Sequence, residues 1–167
     1  MKKSFDEKDV APKPYPKELT DAILNVILAW PVLESALTFW ISEAIKVRPS
    51  ETGILLGAME TRTKIDKLKS LYAHRKDKEA AALLKELSKA HRAHVDIRNT
   101  LAHAQILGAS KFKPKEAYFM TSRAVPEQHG FMVVLRVPIE DMVAAARFAK
   151  DSSRDIRALL KVRGLKS

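Results

Sequence analysis

From Thr20 to Lys46 apolar residues return every three or four positions: Ile23, Ile27, Trp30, Leu37 and Ile41. That period predicts one long helix. Thr20 is placed to cap it, and Asp21 sits in the first turn, where the helix dipole favours an acid. Pro31 removes a backbone donor, which predicts a kink or break just before it. Arg48-Pro49-Ser50 interrupts the pattern, and a second helix is predicted from Glu51 to His74. Its buried side is expected to hold Ile54, Leu55, Ala58, Met59, Ile65, Leu68, Leu71 and Tyr72. Gly53 and Gly57, four apart, allow a close helix contact or mark a loose first turn. Asp77 can cap a third helix reaching Leu107, ended by Gly108 and Ser110. Leu83, Leu84, Leu87, Ala90, His94, Ile97, Leu101 and Ala102 share one face of it. Short connections predict that these three helices form an antiparallel bundle.

The period changes after Pro114. Ala117 to Thr121 and Phe131 to Val137 are rich in aromatic and β-branched residues, and Phe131, Val133, Leu135 and Val137 alternate with Met132, Val134 and Arg136. Pro126 to Gly130 supplies turn residues between them, with His129 at the tip. A β-hairpin over about 115–137 is predicted. Two strands alone are marginal in water, so the pair is expected to lie on the bundle or on a second subunit. Pro138 then fits the first turn of a last helix with Ile139, Met142, Val143, Ala146, Ala149, Ile156 and Leu160 on its apolar side. Met1 to Lys17, with Pro12, Pro14 and Pro16 alternating, reads as a flexible arm. The predicted fold is mainly α: one domain over 18–167, a bundle of about four antiparallel helices with one β-hairpin inserted before the last.

Composition narrows the functional classes. Hydrophobic residues make up 46% of 167, enough for a sizeable core. Thirty Lys and Arg against twenty Asp and Glu give a net charge of +10, which favours polyanionic partners such as RNA. The absence of cysteine excludes disulfides, zinc–cysteine sites and thiol chemistry. Met1 to Asp9 is charged and does not read as a secretory signal. Asn25, Glu34 and Glu43 are expected to interrupt the best membrane-span candidate, so a soluble cytoplasmic protein without a membrane partner is expected.

The chemistry centres on Arg98-Asn99-Thr100-Leu101-Ala102-His103. Arg98 falls near the middle of the apolar face of the third helix, beside Leu87 and Leu101. A charge there needs a partner or a polar cleft. Glu34, on the arc of Trp30 and Leu37, is a candidate partner, or else reaches water from the edge of its stripe. Asn99 and His103, four apart, are neighbours on the adjoining side. Arg62, Lys64 and Lys67, with Arg92, offer a phosphate-tracking surface or a solvated face. His91 and His94 lack carboxylates at matching spacing, so no metal or other cofactor is expected. Nucleophile elbows, Walker loops and dinucleotide-binding glycine loops are absent. Metal-independent RNA cleavage asks for a proton-transfer group and a cation on the phosphorane. A histidine titrating near neutrality and an arginine supply them.

The same six residues resemble the Arg-x4-6-His signature of the HEPN superfamily, in its Arg-Asn form. That resemblance implies a small α-helical bundle carrying the motif late, assembled as a homodimer. It implies a metal-independent endoribonuclease of toxin–antitoxin, phage-defence or CRISPR type, and for a toxin a cognate antitoxin protein. Arg98 and His103 would be the catalytic pair and Asn99 the accompanying polar residue. In that family two copies meet across a two-fold to build one cleft. Such an arrangement suits residues five apart, which sit about 140° around a straight helix. The alternative is a non-catalytic module for nucleic-acid or protein binding, with Arg98 held to Glu34.

Overall fold

The computed structural model describes residues 8, 10–11, 14–57, 59–112, 115–125 and 128–163, and of 122–125 and 128–131 the backbone alone. Five helices and a three-stranded antiparallel sheet make the described chain mainly helical. In chain order they are α1 (Lys17–Ile45), α2 (Pro49–Leu56), α3 (Thr61–His74), α4 (Lys78–His103), β1 (Gln105–Ala109), β2 (Glu116–Val125), β3 (Gln128–Pro138) and α5 (Ile139–Val162). Two compact units divide this chain, Met1–Leu28 with His94–Ala146, and Ala29–Ala93 with Arg147–Ser167. Each receives part of α1, α4 and α5.

The first unit is built on the sheet. β2 pairs with β1 on one side and β3 on the other, with Ala117 opposite Val137 and Phe119 opposite Leu135. The expected alternation holds: Val137 is buried and Leu135 packs inward, while Met132 and Arg136 face out. The two strands expected as a lone hairpin are β2 and β3, and β1 adds the third. Of the expected turn residues, Pro126 and Glu127 lie outside the described residues, as does the side chain of His129. Against the sheet pack Leu19, Ala22 and Val26 of α1 and Ile139, Met142 and Ala145 of α5. Ile97 and Leu101 of α4 join this core partly buried.

β1 replaces the last turn of the expected third helix. Ala104 N–H donates to Thr100 C=O, closing the helix, and the chain then extends as Gln105 and Ile106 pair with Met120 and Phe119. Gly108 sits at a register shift with φ +149°. A Cβ there would lie 2.5 Å from Val10 Cγ1, so glycine is what admits the N-terminal segment. That segment is docked at two points: Val10 bridges to Ser110, and Ala11 N–H donates to Ala109 C=O at 2.8 Å.

The second unit is helical. Trp30, Leu33, Leu37 and Trp40 of α1, Ile65, Leu68 and Tyr72 of α3, Leu84 and Leu87 of α4, and Ile156 and Leu160 of α5 are buried. Trp40 Nε1–H donates to the Tyr72 hydroxyl at 2.9 Å. Directions follow from the side-chain pairings. Glu34, Thr38 and Ala44 of α1 meet Thr61, Lys64 and Arg75 in rising order, so α1 and α3 run parallel. Arg163, after α5, grips Asp77, before α4, while Trp30 lies against both His91 and Phe148. α4 therefore runs against α1, α3 and α5. The expected fully antiparallel packing is corrected here. α2 carries the chain back along α1, so α3 can start level with Glu34.

Further expectations are corrected. The second helix is two helices: α2 ends at Gly57, whose φ of +39° and ψ of −119° break the ladder. Ile54 and Leu55, expected inside, are 81% and 70% exposed, and Thr52 is the buried residue of α2. Ala58 lies outside the described residues. α1 continues through Pro31 without a break. It is also long and apolar enough to cross a membrane by length and composition, with a stretch of mean hydropathy 1.7 that is 39% buried. Asn25 is uncharged, and two carboxylates are too few to interrupt such a stretch. In α5, Val143 is exposed rather than core, while Met142 and Ala146 are buried.

Candidate functional site

α4 holds the motif on its last two turns. The helix starts at a true cap, since Asp77 Oδ1 accepts the Ala80 N–H at 3.1 Å. It ends at His103, the basic residue of its final turn, where the dipole favours a cation. Ile97 and Leu101, one turn apart, anchor this end of α4 in the core of the first unit. That anchoring sets the rotation of the residues between them. Arg98, next in line to Ile97, is half-buried; Asn99 and His103 are exposed.

Arg98 Nη1–H donates to Asn99 Oδ1 at 3.2 Å. The amide therefore steadies the guanidinium from the adjoining position. Asn99 and His103 are one turn apart and share a side of the helix. Arg98 and His103 do not, being about 140° apart. A single α4 thus ties cation to amide and sets the imidazole one turn further along the same ridge. Bringing both ends of that ridge onto one phosphate takes a second surface.

The other expected site residues belong to the second unit. Glu34 is half-buried, and its Oε1 accepts from the Thr61 hydroxyl at 2.8 Å. Thr61 opens α3, so this bond fixes where α3 begins along α1. Lys64 is corrected as a surface contact: it is buried, and its ammonium donates to Thr38 Oγ1 at 3.1 Å. Its long stem lies inside the α1–α3 packing, which is why a lysine fits there. Arg62, Lys67 and Arg92 are exposed. Arg62 reaches Asp66 at 3.8 Å, so its charge is part of a local pair.

The spacing did not single out His91. It continues the buried row of Leu84 and Leu87, and is itself 3% exposed. Its ring lies 5.8 Å from that of Trp30, and its Nε2 has no hydrogen-bond partner among the described residues. Burial holds its pKa below the usual histidine value of 6.5. Arg62 pushes the same way, against the weaker opposing pull of Asp66 and Glu34. The seven-residue step from Leu84 is the signal that would have placed it on the buried face. Among the described residues no three His, Asp or Glu side chains gather to hold a metal ion.

No family model matches the chain, and no curated protein or solved structure matches it either.

Proposed function

We propose that this protein is a metal-independent endoribonuclease of the HEPN type, acting as a homodimer in a cytoplasmic toxin–antitoxin or phage-defence setting. The substrate ribose 2′-hydroxyl loses its proton and attacks the adjacent phosphorus, the bond from phosphorus to the 5′-oxygen breaks, and that leaving oxygen is protonated, giving a 2′,3′-cyclic phosphate and a 5′-hydroxyl. His103 moves a proton, and Arg98 neutralises charge on the phosphorane oxygens. Asn99 orients the guanidinium. The observation that supports this most is the Arg98–Asn99 hydrogen bond, one turn before an exposed His103 at a helix end anchored by Ile97 and Leu101. The 140° between Arg98 and His103 makes the two-fold arrangement part of the proposal, with each copy lending one end of its ridge.

Cleavage of single-stranded RNA in excess EDTA tests it. The parent is expected to cut and to leave a 2′,3′-cyclic phosphate. His103→Ala, still folded, is expected to lose at least about 100-fold in rate, the scale of a general acid–base group. A folded His103→Ala protein that cuts like its parent removes His103 from the mechanism.

A second reading rests on the half-burial of Arg98. In it the guanidinium is structural, braced by Asn99, and the protein is a non-catalytic module for nucleic-acid or protein binding. Strong destabilisation by Arg98→Ala, with no RNA cleavage by the parent, is its signature.

A further inference from the structure

Outside the α4 motif, the most distinctive surface is on α5. Arg147, Lys150, Arg154, Arg157 and Lys161 follow one another at alternating steps of three and four residues, and all five are exposed. Those steps confine them to about 80° of the helix circumference. They form a line about 21 Å long on the rise of an α-helix. Asp151 and Asp155 flank the line on one side, and both meet Arg154, at 3.1 and 3.4 Å.

A merely solvated face does not call for this order. α3 has the commoner arrangement: Arg62 and Lys69 both reach Asp66, at 3.8 and 3.9 Å, so signs alternate and neighbours attract. On α5 each cation has the next cation one turn away, and each such neighbour pair works against the helix. Helix polarity compensates only in the last turn, at Lys161. The line faces outward, so packing does not explain it. A row of like charges at a steady spacing of about one helical turn is complementary to a polymer that carries one negative charge per repeat.

We propose that the Arg147–Lys161 face of α5 is the docking surface for the phosphate backbone of single-stranded RNA. The choice of RNA over another polyanion rests on the ribonuclease reading; the docking itself does not require that Arg98 and His103 cleave. Arg154 is partly neutralised by its two aspartates, so the larger share of phosphate tracking falls to Arg147, Arg157 and Lys161. Docking here is independent of sequence and sensitive to salt, because each phosphate neutralised releases counterions.

The test uses the full chain in a His103→Ala background, so that the RNA survives, with a fluorescent single-stranded RNA as probe. Arg147→Gln, Arg157→Gln and Lys161→Gln are combined; glutamine keeps helix propensity. Circular dichroism checks that the exposed changes leave the fold intact. Kd is expected to rise about tenfold or more at low salt. The slope of log K against log salt is expected to shrink by about 2, at about 0.7 for each phosphate that the variant leaves unneutralised. A matched triple on α4, Lys78→Gln, Lys85→Gln and Lys89→Gln, removes the same charge and is expected to have a much smaller effect. Equal losses from the two triples overturn the proposal in favour of net charge, and an unchanged Kd overturns it outright. Row-dependent binding to phosphatidylserine vesicles without binding to RNA overturns it in favour of a membrane surface. Cleavage by the parent together with an idle α5 row sinks this inference and spares the ribonuclease reading. Row-dependent RNA binding with no cleavage by the parent does the reverse.

Discussion

His91→Leu is expected to stabilise the protein, and by more in acid than at neutral pH. The parent ring is 3% exposed, and its Nε2 has no hydrogen-bond partner among the described residues. A buried polar atom left without a hydrogen bond costs about 1–3 kcal/mol. Leucine removes that term and forfeits the ring contact with Trp30, worth about 0.5–1.5 kcal/mol. The net gain at pH 7.5 is on the order of 1 kcal/mol by that difference. The pH term has a definite sign. Burial lowers the pKa of His91 in the folded chain below 6.5, so the unfolded chain takes up the proton first. The contribution of neutral His91 is complete above 6.5 and is lost as pH falls toward the folded pKa. Below 6.5 the slope is at most about 1.4 kcal/mol per pH unit for one proton. The leucine variant lacks this term, so its advantage should widen between pH 7.5 and pH 5.5. Urea unfolding followed by tryptophan fluorescence at the two pH values measures it. A gap equal at both, or a leucine variant less stable than its parent at neutral pH, refutes the account of His91 as a buried, neutral, unpartnered ring.

Other perturbations have equally definite outcomes. Gly108→Ala combines φ +149° with a Cβ 2.5 Å from Val10 Cγ1, so a loss of about 1–3 kcal/mol is expected in thermal unfolding. Hydrogen exchange should then rise at Ala11. Tyr72→Phe removes the acceptor for Trp40 Nε1–H and should cost about 1–2 kcal/mol. A double-mutant cycle with Trp40→Phe should show coupling between the two. Arg163→Ala breaks the two-pronged contact with Asp77, at 2.7 and 3.1 Å, and should cost on the order of 1 kcal/mol at neutral pH. That hydrogen bond with Arg163 is the main reason the Asp77 carboxyl titrates below 3.8, so its contribution stands above that value and fades as pH falls through the folded pKa. Parent and Arg163→Ala stabilities should therefore converge in strong acid.

Much of this was legible where neighbours in sequence are neighbours in space. The stripe of Trp30, Leu37 and Ile41 locates the buried side of α1, and the alternation of Val133, Leu135 and Val137 assigns β3. The Arg98–Asn99–His103 ridge is local, so its internal geometry follows from one helix. What failed was non-local. Gln105 to Ala109 is a short apolar run, which periodicity does not distinguish from the end of a helix. Its strand identity comes from β2 lying alongside. The direction of α3 against α1 depended on α2, whose Ile54 and Leu55 imitate a core face while pointing outward. Lys64 looked like one of many surface cations, and only packing against Thr38 buries it. For the same reason, the Glu34–Thr61 bond could not be read from either helix alone.

The docking of Val10 and Ala11 beside β1 has a further consequence. β1 is the outer strand of its sheet on that side, and an outer strand offers free backbone groups on which another chain can build. The N-terminal segment occupies part of that rim, one bridge and one hydrogen bond long. A shortened chain starting at Lys17 would uncover it. Such a chain should precipitate or form β-rich assemblies more readily than the full one, even if its helices are undisturbed. Val10 and Ala11 thus act as a built-in stopper against growth along the sheet.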